Sequence, residues 1–202
     1  MIEANVQTDF SSVHQPVIGE GTYVHPLAAV IGNVELGRSV MVAPGASVRG
    51  DEGQPLFVGD ESNVQDGVVV HALETEHHGA SLDANLVTVD GRRYAVYVGR
   101  RVSLAHQAQI HGPASVMDDT FIGMKSLVFR SRVGQRCVVE PGVILMGVTV
   151  ADGRYVPAGS VVTSQQQADE LPRIGQDYAM KDINRGVVNV NVALARGYLS
   201  RR

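Results

Sequence analysis

The sequence predicts an all-β fold, a parallel β-helix of about seven triangular turns followed by a C-terminal α-helix. Three observations predict it. Aliphatic residues recur at every sixth position. Glycine, asparagine and proline fall soon after the beat, where corners are needed. Near the C-terminus the period changes to three or four residues, the spacing of one helix face.

The beat starts with Ile18, Val24, Val30, Leu36, Val42 and Val48. After a four-residue slip it resumes at Val58, Val64 and Val70. A longer interruption follows. The beat then runs through Val98, Leu104, Ile110, Val116, Ile122 and Val128. Five-residue steps lead on to Val133, Val139 and Leu145, and then to Val150, Val156 and Val162. With 44% hydrophobic residues, a run of six in fixed register arises by chance about one time in a hundred, and there are two such runs. Six is even. Side chains alternate on an extended chain, so every sixth residue faces one interior. Three short strands then make one triangular turn. A β-sandwich would need hairpin turns every 8–12 residues, and these are mostly missing.

Residues 1–176 are assigned to the β-helix, with an insert over 72–97. The tip "TVDGRRYAVYV" reads as a β-hairpin turning at Asp90-Gly91. "SQQQADELP" reads as a short helix stopped by Pro172. Residues 177–202 are assigned to a helix packed along the coil as part of the same structural unit. Val187, Val190, Leu194 and Tyr198 form its expected packing stripe.

Composition narrows the functions. Net charge is −4 with no basic block, which argues against nucleic acid or an anionic membrane as the main partner. No stretch of about 18 apolar residues is present, so no membrane-spanning helix is expected. Cys137 is the single cysteine, which rules out an intrachain disulfide and a thiolate metal cluster. The start, "MIEANVQTDF", lacks the features of a leader. The expected location is cytoplasmic, with periplasm or exterior left open in case a leader was removed.

The beat also places the histidines. We name the faces a, b and c, with Ile18 on a. Val48, Val70 and Ile110 fall on c in successive turns, and the residues after them, Arg49, His71 and His111, point outward. His71 and His111 are therefore expected one strand apart, about 4.8 Å, despite forty intervening positions. His106 lies two residues after Leu104, round the corner from His111, and five extended residues reach roughly 16 Å. A single metal collects all three imidazoles only where face c of one subunit meets the b corner of another. The expected assembly is a homotrimer with three equivalent sites at its interfaces. Three imidazoles with a free fourth position suit a catalytic zinc centre. His14, His25, His77 and His78 read as ordinary polar surface.

"SVRGDEGQPLFVGDESNVQDGVVVHALET", "YAVYVGRRVSLAHQAQIHGPA" and "DGRYVPAGSVVTSQQQADELP" closely resemble the gamma-class carbonic anhydrases, most of all the archaeal prototype subclass. The resemblance runs from about residue 16 into the final helix. It implies a left-handed sense for the coil, a trimer with metal between subunits, and reversible hydration of carbon dioxide to bicarbonate by a metal-bound hydroxide. By the family's motifs, His71 and His111 of one subunit and His106 of its neighbour would bind the metal. Arg49 and Asp51 would tie subunits together beside the site. Glu52 would handle the proton of the bound water. Gln65 would hydrogen-bond the hydroxide, with Asn63 positioning Gln65. Glu74 matches the proton shuttle, and Asn191 aligns with the asparagine that meets the substrate, with Asn189 close by as an alternative.

Imidazole ligands leave the metal open among zinc, iron(II) and cobalt(II). The insert departs from the prototype in being less acidic and in carrying His77 and His78, which either relay protons or form a solvated tip. Two other functions fit the fold: a non-catalytic trimeric scaffold or bicarbonate-binding protein, and a hexapeptide acyltransferase. A scaffold has no need of Glu52 and Glu74, and an acyltransferase needs one imidazole rather than three.

Overall fold

A computed structural model of the protein describes residues 1–201. Its body is a parallel coil with three faces. Face a stacks Val17–Ile18, Val34–Leu36, Leu56–Val58, Val96–Val98, Ala114–Val116, Arg132–Val133 and Thr149–Val150. Face b stacks Tyr23–Val24, Met41–Val42, Asn63–Val64, Ser103–Leu104, Phe121–Ile122, Val138–Val139 and Tyr155–Val156. Face c stacks Ala29–Gly32, Ser47–Gly50, Val69–His71, Gln109–His111, Leu127–Phe129, Ile144–Met146 and Val161–Val162, and Ile2–Glu3 adds an outermost strand below them. Seven three-strand turns result, as the six-residue beat predicts.

The register follows the beat. Val48 pairs with Val70, Val70 with Ile110, and Ile110 with Val128. Twenty of the 21 beat positions are buried at 8% exposure or less, and Ile18, at the open end, is half-buried. One continuous aliphatic core therefore runs the length of the coil. Burial of so many branched side chains is the main stabilising term of this fold.

Corners are not confined to glycine. Gly67 turns with φ +68°, and Gln107, at the equivalent place one turn later, adopts φ +62°. The Gln107 N–H donates to Asp66 O at 2.8 Å, which stabilises this left-handed turn beside His106.

The insert occupies residues 72–95. Its expected last two residues already belong to the coil, because Val96–Val98 pairs with Leu56–Val58 and with Ala114–Val116. The predicted hairpin is present, with Val87–Val89 against Arg92–Tyr94 across Asp90-Gly91. A second, smaller hairpin joins Glu76–His77 to Ala80–Ser81.

Two helices follow the coil. Helix α1 (Gln165–Asp169) is the short helix expected from "SQQQADELP", and a Ser164–Gln167 capping box starts it. Helix α2 (Ile183–Leu199) begins six residues after the predicted start and lies across face b. Its buried stripe is Asn184, Val188, Asn191 and Ala195. This corrects the expected stripe in part: Val190 and Leu194 are exposed, whereas Val187 packs on the coil and Tyr198, partly exposed, stacks on Tyr23 with ring centroids 4.9 Å apart. The amide nitrogens of both asparagines are bonded, Asn184 Nδ2 to Arg101 O at 2.8 Å and Asn191 Nδ2 to Val187 O at 2.9 Å, while the buried Asn184 Oδ1 has no partner among the described residues. No helix is long and apolar enough to cross a membrane among the described residues.

Candidate metal centre

Face c carries the first group of predicted residues. Arg49 and His71 project from adjacent strands, and Arg49 Nη2 lies 2.9 Å from His71 Nε2. His71 pairs in register with His111, and the two rings sit edge-on with centroids 5.5 Å apart. The column expected from the beat is therefore present. Phe129, one turn on, packs on the His111 ring at 5.4 Å. His111 Nδ1–H donates to Gly112 O at 3.2 Å, which leaves its Nε2 lone pair free.

A tight loop brings the carboxylates to His71. Its Nε2 lies 3.1 Å from Asp51 Oδ1 and 3.3 Å from Glu52 Oε1. Arg49 also faces Asp51, Nε to Oδ2 at 3.7 Å, so within one chain this pair closes on itself. The loop is locked from behind. Buried Thr75 donates both its N–H and its hydroxyl to Glu52 O, each at 2.9 Å, and Gln54 N–H donates to the same hydroxyl at 2.6 Å. Gly53, with φ +106°, is required there, since a Cβ would stand 2.3 Å from Thr75 Oγ1. Thr75 thus couples the Glu52 loop to the segment that carries exposed Glu74.

Electrostatics set the protonation states. Burial, with Arg49 beside it, holds the His71 imidazole below its ordinary value, so it stays neutral and keeps a lone pair. Burial and repulsion from Asp51 and Glu74 raise the Glu52 carboxyl above its usual range, while Arg49 opposes the shift. A carboxylate with a raised pKa is the better proton acceptor.

The b corner carries the second group. His106 Nδ1 lies 2.9 Å from Asp66 Oδ2, which assigns the proton to Nδ1 and leaves Nε2 free. Gln65 Nε2 donates to Asn63 Oδ1 at 2.9 Å, and Asn63 Nδ2 donates to Ser103 Oγ at 3.0 Å. This chain fixes the Gln65 amide so that its Oε1 is the free acceptor. Helix α2 packs over Asn63–Val64 and Ser103–Leu104, and its buried Asn191 lies on this side while Asn189 is exposed.

The two groups do not meet within one chain. Asp51, Glu52 and His71 bring ligand atoms within 4.8 Å of one another, and neither His106 nor His111 completes such a set among the described residues. A cavity of about 820 Å³ lies along α2 near Arg101, Arg136 and Arg185 and touches none of the three predicted metal-binding histidines.

The donors fit a cation. On face c two carboxylate oxygens converge on an imidazole nitrogen that keeps its lone pair, a negative pocket that a divalent ion would neutralise. His111 and His106 each hold Nδ1–H in a hydrogen bond, the arrangement that orients a metal-binding imidazole.

Sequence reasoning missed Asp66, Thr75 and Ser103. Asp66 had a readable signal, since it follows Val64 by two residues as His106 follows Leu104.

Known proteins resemble this chain in sequence and fold. Residues 15–50 match the family model for the bacterial transferase hexapeptide of six repeats. The chain is 60% identical over 184 residues to a carbonic anhydrase of Methanosarcina thermophila, covering 91% of this chain and 74% of that one. It is 43% identical over 189 residues to the carboxysome assembly protein CcmM of Nostoc, spanning 93% of this chain but 32% of that protein. A mitochondrial gamma carbonic anhydrase of Arabidopsis thaliana is 30% identical over 146 residues, 72% of this chain and 46% of that one. Among solved structures, a hexapeptide transferase family protein of Anaplasma phagocytophilum superposes with a TM-score of 0.55 at 21% identity over 92% of this chain and 93% of that one, a likeness of fold alone. The site geometry and the extent of these matches together show that the chain belongs to the gamma-class carbonic anhydrases.

Proposed function

We propose that the protein interconverts carbon dioxide and bicarbonate at three equivalent metal sites, each shared by two subunits of a homotrimer. The observation that carries this reading is the division of the donors. His71 and His111 present imidazoles on face c, and His106 presents an oriented one round the corner, beyond the reach of the same chain's pair. Exposed apolar side chains lie on the same surfaces. Leu27 and Met124 occupy the b–c corner with His106, and Val69 and Val161 lie on face c. A neighbouring subunit would cover them.

His71 and His111 of one subunit and His106 of the next would hold zinc, iron(II) or cobalt(II). The ion's chemistry is to bring the acidity of a water into the neutral range, for which carbonic anhydrases are themselves the reference case. The protein's own groups do the rest. Gln65 Oε1 accepts a hydrogen bond from the attacking oxygen and aims its lone pair, with Asn63 holding the amide. Attack forms the carbon–oxygen bond of bicarbonate. The proton released in each cycle passes to Glu52, whose raised pKa suits it, and on to Glu74. Glu74 is exposed and can hand the proton to buffer. Asn191 would meet the substrate from the b side. The left-handed sense of the coil comes with the family.

The assembly protein CcmM, at 43% identity, motivates a second reading as a scaffold. That reading leaves the Glu52–His71 contact and the exposed Glu74 without a task. Metal analysis combined with a stopped-flow carbon dioxide hydration assay decides. The proposal predicts about one metal per chain and hydration far above the buffer rate, lost on chelation and restored by metal. A metal-loaded trimer no faster than buffer would overturn it.

A further inference from the structure

We propose that Asp9, His77 and His78 form a second metal site, remote from the first, which takes a borderline divalent transition metal such as zinc or nickel. Their ligand atoms all lie within 4.8 Å of one another. This grouping does not depend on the carbonic anhydrase reading.

The backbone explains why consecutive histidines converge. Neighbouring side chains on a strand point to opposite faces, so His77 and His78 would ordinarily diverge. Here His77 ends the strand Glu76–His77, and His78 occupies the two-residue turn with φ +48°, followed by Gly79 at φ +79°. The left-handed turn breaks the alternation and brings the two rings to a centroid distance of 4.3 Å, tilted by 60°. Positive φ is uncommon for a residue other than glycine, with histidine among the better tolerated.

The third ligand arrives from a distant part of the chain and is held in place. His78 N–H donates to Asp9 O at 3.0 Å, which docks the hairpin on the N-terminal arm. The arm owes its shape to buried Asn5. Its Nδ2 donates to Ser11 Oγ at 3.0 Å and to Ser12 O at 2.8 Å, and its Oδ1 accepts from His14 N–H at 2.8 Å. Phe10 O lies 3.0 Å from where a Gly53 Cβ would stand, so the arm is seated against the Glu52 loop. Arg93, the nearby cation of the insert, is occupied by Asp83 Oδ1 at 2.7 Å and Ser81 Oγ at 3.1 Å.

The donor set specifies the ligand class. Two imidazoles and one carboxylate suit zinc, nickel or cobalt rather than calcium or magnesium, which prefer oxygen alone. Ligands on such an ion at about 2.0–2.1 Å stand roughly 3.3 Å apart in a tetrahedron. All three side chains are exposed, so small rotations close the remaining distance and water fills the fourth position. A bound ion would clip the N-terminal arm to the hairpin that follows Glu74.

The test is a nickel(II) titration by calorimetry of the intact protein carrying a single equivalent of zinc per chain, with total metal counted after dialysis. Wild type is expected to take one further equivalent per chain. His77→Ala/His78→Ala should retain the first metal and lose the second equivalent. Asp9→Asn should weaken the second by about tenfold or more. Unchanged melting curves should accompany these exposed substitutions. Equal stoichiometry and affinity in wild type and double variant would overturn the site. So would wild-type binding confined to millimolar nickel, the behaviour of adventitious surface histidines.

Discussion

The face c group and the b-corner group differ in kind. On face c, His71 is half-buried among Arg49, Asp51 and Glu52, and its surroundings move charge. At the b corner, exposed His106 leans on Asp66, and the neighbouring amides Gln65 and Asn63 are locked by hydrogen bonds that fix orientation. In the proposed reaction one region would handle protons and the other would set geometry. Neither group holds all three imidazoles within one chain, and the difference teaches why the proposed reaction would require contact between copies.

The sharpest way to break this pairing removes a ligand from each side. His71→Ala or His106→Ala alone should abolish metal retention and lower activity by on the order of 10³-fold or more. Mixed trimers of the two variants should regain activity, because some interfaces unite an intact face c with an intact b corner. Mixed trimers that stay inactive would show that the metal is not shared.

Within the charged half, Glu52→Gln should lower the hydration rate by about 10²-fold or more while the metal stays bound, as seen by metal analysis beside the assay. Within the oriented half, Asp66→Ala should loosen His106 and weaken metal affinity by about 10–100-fold, measured by competition with a chelator. Glu74→Ala tests the outer end of the charged half. Its kcat should fall by roughly tenfold, kcat/KM should change little, and added imidazole buffer should restore the loss.

The smallest effect lies at the a–b corner, outside both halves. The Asp60 carboxyl is held below its usual range, chiefly by the backbone N–H of Arg38 at 2.8 Å, with the Arg38 side chain adding to it. A depressed folded pKa stabilises above the unfolded value and loses that contribution as pH falls through the folded one. Because the pair is largely solvated, Asp60→Asn should cost under about 1 kcal/mol at pH 7. Thermal melts of the two proteins should converge in strong acid, and activity should be unaffected.

The coil was legible because a six-residue period admits few other structures, and every beat residue sits on its expected face. The His71–His111 column followed from the same count. The face of α2 did not. Val190 and Leu194 look like core at helical spacing, yet the coil receives Asn184 and Asn191, whose amide Nδ2 groups donate to Arg101 O and Val187 O. Hydrogen-bond partners 83 positions away leave no mark on periodicity. The small hairpin was less legible, because His78 takes the first positive-φ position of its turn, where asparagine, aspartate or glycine before Gly79 would have been the stronger signal.

The register across the insert has a consequence for how such a protein can change. Val96–Val98 pairs with Leu56–Val58 as though residues 72–95 were absent. The stack behaves like a shelf with fixed spacing, on which an excursion of any length leaves the next rung undisturbed. Loop closure grows only slowly more costly with length. Selection or design can therefore lengthen, trim or recharge the segment bearing Glu74 while His71 and His111 keep their separation. If the proposed function holds, the pace of proton export and the grip on the metal would be adjustable separately in this architecture.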